Sequence, residues 1–207
     1  MTPQQEAMAV LYRDVAAAWQ YPMDEVVAAL RAGVTEPAAL RALDDAEDLA
    51  GPWEACHQAL LATSADTLRL AYGRLFVGQD PCFLNEGDFR GRAFDRPNIL
   101  ADVMGFYHAF GVDPSQLSAE RPDFLGTELE FVALLHVKEG LARDGARPDQ
   151  AAICEAARRR FVEEHLTRWA PAFCAELRKR THEPFYLALA TMLDGLLARE
   201  RALTSVA

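Results

Sequence analysis

The stretch 121–140, RPDFLGTELEFVALLHVKEG, decides the fold. Leu125, Leu129, Val132 and Leu135 recur every three to four residues, which lays one apolar stripe along an α-helix. Arg121-Pro122-Asp123 opens that helix, with Asp123 standing where an N-cap would, and Gly145 ends it.

The same period continues in both directions. Towards the N-terminus, Val10, Leu11, Val15, Ala18 and Trp19 mark a face that the Tyr21-Pro22 pair interrupts, because proline pushes the residue before it out of the helical region. Further helices are expected over 23–32, over 36–50 up to Gly51-Pro52, over 53–63, from Ser64 to Gly78, and from Asn98 to Phe110. Asp113-Pro114-Ser115-Gln116 has the composition of a helix start. Towards the C-terminus, Pro148 and Pro184 open helices, and Val162, Leu166, Trp169, Phe173 and Leu177 hold one face despite Pro171. No strand alternation and no internal repeat is present. The fold class is therefore all-α, a bundle of about eight to ten helices forming a single domain over residues 1–207. Residues 79–97 stand apart as a stretch poor in helix formers and long for a connection inside a bundle, a length typical of functional loops.

The formal net charge of −10 is uneven. Residues 1–50 carry nine acids and three bases, 51–140 carry thirteen and seven, and 141–207 carry nine and eleven. An acidic body repels nucleic acid and anionic membrane; it either serves solubility or attracts a basic peptide. Cys56, Cys82, Cys154 and Cys174 lack zinc or disulfide spacing and read as reduced thiols of the cytoplasm. No apolar run approaches a membrane span, so no stable membrane insertion is expected.

Catalytic signatures are sparse. One Glu-x-x-His, at Glu54 and His57, falls short of the two that a di-metal bundle needs, and reads as a solvated helical pair. Phosphate-binding glycine loops and nucleophile elbows are missing. The Arg158-Arg159-Arg160 run reads as the wet side of a helix, beside Glu155, Glu163 and Glu164. Tyr72, Phe76, Phe106, Tyr107 and Phe110 form an aromatic set that suits either a core or a groove gripping apolar side chains of a peptide. No metal, cofactor or catalytic residue is expected, and the chain is not expected to be an enzyme.

Several short elements together resemble a known family. Tyr72-Gly73-Arg74-Leu75-Phe76-Val77-Gly78 is similar to the Y-x-x-L-F-x-G element of the TorD/DmsD/NarJ redox enzyme maturation proteins. Pro81 and Asn85-Glu86 resemble that family's proline-rich loop, Phe106 to Gly111 its Y-x-x-F-G helix end, and Glu120 to Asp123 with Glu128 to Phe131 its E-x-P-D-H … E-L-E-F stretch. Phe161, His165, Leu166, Trp169 and Phe173, then Phe185-Tyr186, continue the series, so that the likeness spans about residues 68–200. It implies a cytoplasmic, all-α, molybdoenzyme-specific chaperone that holds the catalytic subunit of a molybdopterin-dependent oxidoreductase, or its twin-arginine signal peptide, before cofactor insertion and export. It also implies a monomer or a helix-swapped dimer. A permanent helical accessory subunit of a redox complex is the alternative, and a small all-α enzyme a more distant one. Where the family carries histidine after P-D, this chain carries Phe124, which implies a more apolar client segment or a client recognised elsewhere.

A twin-arginine signal offers two adjacent guanidiniums followed by an apolar stretch. Capturing it calls for carboxylates beside an apolar groove. The expected peptide-binding set is Tyr72, Phe76, Glu86, Asp123, Phe124 and Glu128, with residues 79–97 closing over the peptide. Glu86, Asp123 and Glu128 also suit helix capping or plain exposure, Asp123 standing where an N-cap would.

Overall fold

A computed structural model describes residues 1–33, 40, 49–91, 94–113 and 120–205. Among them the regular structure is helical, apart from one isolated antiparallel bridge between Asn85 and Phe124. Most of the helix expected over 36–50, and Pro114 to Gln116, lie outside the described residues.

Helix α1 (Pro3–Ala18) starts from a capping box. The Thr2 hydroxyl accepts the Gln5 N–H at 3.2 Å, and the Gln5 side chain accepts the Thr2 N–H at 3.1 Å. Two amides that the first turn leaves unpaired are thereby satisfied. Helix α2 (Asp24–Ala32) ends at Gly33. Helix α3 (Ala50–Ala62) begins earlier than Trp53, because Gly51 and Pro52 fit inside its first turn, where a missing N–H loses no bond. Helix α4 (Ala65–Tyr72) is capped by Ser64, whose hydroxyl accepts the Thr67 N–H at 3.1 Å, and runs into a π-helical turn, Gly73–Val77.

The short helix α5 (Glu86–Arg90) lies within the stretch expected to be loop. Helices α6 (Arg96–Ala109), α7 (Leu125–Asp144) and α8 (Pro148–Phe161) follow. After α8 comes a second π-helical turn, Val162–Leu166, then α9 (Thr167–Arg180) and α10 (Pro184–Ser205).

Helix α7 is the axis of the molecule, packing against α1 and α8, while α10 packs against α3 and α9. Helices α1 and α7 run in opposite directions: Gln5 bonds Glu139 near one end and Gln20 bonds Glu130 near the other. The core contains Trp19, Trp169, Phe131, Phe161 and Phe173, all fully buried. Burial of each such side chain is worth roughly 1.5–3 kcal/mol.

The second π turn explains a spacing that a regular helix would not tolerate. Phe161, His165, Trp169 and Phe173 recur every four residues, a pattern that drifts by roughly 40° per step around a helix of 3.6 residues per turn. The turn over Val162–Leu166 absorbs one extra residue and brings all four side chains into the interior. Pro171 lies inside α9, five residues beyond the π turn, where its missing N–H removes one bond of the helical ladder.

Two side-chain expectations need correction. His57 does not pair with Glu54 in solvent; its Nε2 bonds the Arg31 carbonyl at 3.1 Å and ties α3 to the end of α2. Arg158 is not on a wet face: it is buried and paired with Glu200, while Arg159 and Arg160 make the surface pairs with Glu155 and Glu164.

Candidate functional site

Residues 78–91 form a strap tied down at three backbone points. The Cys82 N–H donates to the Leu75 carbonyl at 2.7 Å, the Leu125 N–H to Leu84 at 2.8 Å, and the Glu86 N–H to Asp123 at 2.8 Å. The strap thus pairs with the approach to α7, and its helix α5 crosses beside the start of α7.

Asp123 does not cap α7. The N-cap is Phe124, which makes no side-chain cap bond. The Asp123 carboxylate turns to the strap: Oδ2 accepts the Gly87 N–H at 3.1 Å and the Arg121 guanidinium at 2.9 Å, and Oδ1 accepts the Asn85 amide at 3.3 Å. Asp123 therefore serves the first turn of α5. A Cβ at Gly87 would stand 3.0 Å from Oδ2, a tight contact that the small glycine avoids. Arg121 also reaches Asp88 at 2.6 Å, and Asp88 reaches Arg96 at 3.0 Å, which extends the fastening to α6.

Within the strap, Glu86 is fully buried and faces inward. One of its oxygens accepts from Arg90 and the other from Nδ1 of His165 at 2.8 Å. The other face of the imidazole looks to Asp102, with Nε2 3.6 Å from Oδ2. Burial alone would raise the Glu86 carboxyl, but His165 and Arg90 outweigh it and hold the group below the ordinary glutamate range.

Glu128, one turn into α7, has the opposite fate. Burial first, then the neighbouring Glu86 and Asp123, push its carboxyl well above the usual range. The shift favours the protonated form of Glu128. Its Oε2 accepts the Trp169 indole N–H at 3.3 Å, and its Oε1 is buried with no hydrogen-bond partner among the described residues. The two glutamates are shifted in opposite directions, as like charges sharing a dry site are.

The six residues expected at a peptide site fall into two groups. Glu86, Asp123, Phe124 and Glu128 meet at this junction, all buried. A Cβ on Gly126 would collide with the Phe124 ring, which folds back over that glycine towards α1. Tyr72 and Phe76 lie in an aromatic cluster with Trp19, Phe173 and Tyr186. Phe173 and Trp169 connect that cluster to Glu128, and Phe89 of the strap packs on both. Asp123 bonds the strap, Glu86 bonds His165 and one Glu128 oxygen bonds Trp169, while the other Glu128 oxygen is buried with no hydrogen-bond partner among the described residues.

The chemistry of the junction is that of a fastening. Its histidine lies between two carboxylates, with no hydroxyl or thiol among its described bonding partners. Burial pushes the Cys56 thiol up to about 12 and Cys82 to about 11, so these stay protonated at neutral pH. Among the described residues no group of three or more histidine, cysteine, aspartate or glutamate side chains is placed to hold a metal ion, and no helix is long and apolar enough to cross a membrane.

Comparison with known proteins bears on what the fastening belongs to. The family model for the nitrate reductase delta subunit matches residues 42–175. The chlorate reductase assembly chaperone protein of Ideonella dechloratans is 38% identical over 147 residues, covering 68% of this chain and 72% of that protein. The chain belongs to the nitrate reductase delta subunit family, the NarJ/TorD-type chaperone group.

Two further relatives are similar to this delta subunit family member. The selenate reductase assembly chaperone protein of Thauera selenatis is 35% identical over 131 residues, 60% of this chain and 66% of that protein. The perchlorate reductase assembly chaperone protein of Dechloromonas aromatica (strain RCB) is 31% identical over 100 residues, 48% of this chain but only 44% of that protein's length. In this delta subunit family member, elements far apart in sequence converge on one junction: Asn85-Glu86, Asp123, Glu128, His165 and Trp169. Sequence reasoning missed Gly87, Asp88, Arg90, Arg96 and Asp102, which complete the fastening. Only the four-residue interval between Glu86 and Arg90 carried a local signal.

Proposed function

We propose that this chain is an assembly chaperone for the catalytic subunit of a molybdopterin-dependent oxidoreductase. It holds the apoprotein, or its twin-arginine signal peptide, in the cytoplasm until the cofactor is inserted, and performs no catalysis of its own. The observation that carries the reading is the alignment with three proteins named as assembly chaperones of chlorate, selenate and perchlorate reductases. Because all three names specify an oxyanion reductase, we assign the client to that class. The net charge of −10 suits a basic client segment.

A client segment meets Glu86, Asp123, Phe124 and Glu128 only once the strap has lifted; its guanidiniums then replace Arg90 and Arg121 on Glu86 and Asp123. Tyr72 and Phe76 supply the apolar side of the same site. Titration calorimetry with a peptide of two adjacent arginines followed by a run of leucines tests this. Binding that weakens as salt rises is the expected result, together with tighter binding to Arg121→Ala, whose strap is loosened. No binding to wild type or to that variant overturns the peptide claim.

The family description as a delta subunit favours a second reading, a permanent accessory subunit. Co-purification at fixed stoichiometry with mature, cofactor-loaded enzyme supports that reading against a transient chaperone.

A further inference from the structure

On the side of the bundle where α1 lies along α7, a groove of about 440 Å³ opens to solvent. Its floor is the pair Ala9 and Ala133, small enough to let the two helices approach, and its walls are Val10, Leu134 and Val137. From Glu130 to Val137 it runs seven residues of helix, roughly 10 Å, the length of about three residues of extended chain.

Glu130 stands at one end. One of its oxygens accepts the Gln20 amide at a long 3.5 Å. The other is buried and has no hydrogen-bond partner among the described residues. No described cation pairs with this carboxylate: Arg13, at the same end, is directed to Asp14 at 3.8 Å, and Glu6, also lining the groove, adds a second acid. Burial pushes the Glu130 carboxyl up to about 7 with nothing opposing it. An acceptor desolvated in this way is unfavourable unless a donor completes it.

We infer that the α1/α7 groove docks a short polypeptide segment of the client in which an arginine is followed by two apolar side chains, the Glu130 side chain turning its buried, unpartnered oxygen out to the guanidinium and the apolar pair lying over Ala9 and Ala133. The inference rests on the chaperone reading and deepens it, because this surface is accessible while the strap is closed. A guanidinium matches the need, since it donates in a fixed plane to a carboxylate and is more weakly hydrated than an ammonium. The client would therefore meet the groove first, before the junction under the strap opens.

The test uses the full chain and the same peptide of two arginines and a leucine run, now labelled with fluorescein. A control peptide carries two glutamines in place of the arginines. Glu130→Gln keeps the shape and is expected to weaken the arginine peptide about tenfold, the loss of one hydrogen bond to a charged group, while leaving the control unchanged. A benzophenone side chain at Val10 is expected to cross-link the arginine peptide. Equal binding to wild type and Glu130→Gln with no cross-link at Val10 overturns the groove and leaves the chaperone reading standing. Absence of binding by both the peptide and the apo catalytic subunit overturns both. A concentration-dependent dimer in sedimentation that Val137→Asp dissolves also overturns the assignment, because the groove would then be the interface between two copies.

Discussion

The Asp123 carboxylate accepts the Gly87 backbone N–H at 3.1 Å, joining the strap to the entrance of α7. Replacing Asp123 with alanine strands the Gly87 amide and frees Arg121 and Asn85. A loss of about 2–3 kcal/mol is expected from urea unfolding. Asp123→Asn keeps one acceptor and loses less, and Gly87→Ala is destabilising because its Cβ would press on Oδ2. A loss below about 0.5 kcal/mol for Asp123→Ala, the range of plain surface substitutions, would contradict the role given to this residue.

Glu128 predicts a pH dependence of stability. Its carboxyl is raised in the fold by burial and by Glu86, whereas in the unfolded chain it titrates at about 4.3. Between that pH and the higher folded value the folded chain holds the extra proton. This contribution is full below about pH 4.3 and is lost as pH rises through the folded value, at about 1.4 kcal/mol per pH unit. Glu128→Gln imitates the neutral acid, so it is expected to be no less stable than wild type at pH 7 and to remove that slope. Glu128→Ala leaves the Trp169 indole N–H without its acceptor and is expected to lose about 2–3 kcal/mol. Thermal melts of the three proteins between pH 5 and 8 make the comparison.

Glu200 predicts the opposite limb. Burial would raise it, but the His136 hydrogen bond and the Arg158 charge hold it at about 2. Its contribution is complete above the unfolded value near 4.3 and disappears as pH falls towards 2. Glu200→Gln leaves buried Arg158 with only the more distant Glu139, at 3.7 Å. A deficit of about 2–3 kcal/mol at pH 7 is expected, shrinking as the medium is acidified. Denaturant curves at pH 7, 4 and 3 measure it, and a deficit independent of pH would contradict it.

Helical spacing was enough to read most of the elements, because a residue such as Leu129 or Leu193 must face the core whatever its partners are. Ser64 was legible as a cap for the same reason: its hydroxyl serves an amide three residues away. The site was legible only as a set of motif residues. Glu86 and His165 are joined across 79 residues of chain, and no local pattern reports such a pairing. Asp123 misled because its position before a helix matches an N-cap, whereas its carboxylate is taken by a nearer backbone amide on the strap. The burial of Arg158 was hidden because Glu200, which compensates its charge, lies on another helix.

The central claim is that this chain holds an immature enzyme, and binding of the catalytic subunit before and after cofactor insertion tests it most directly. Sedimentation velocity with the apo and the cofactor-loaded catalytic subunit of a molybdopterin-type oxyanion reductase from the same organism should show a one-to-one complex with the apo form alone. A complex of equal strength with the loaded enzyme, or with neither form, would contradict it.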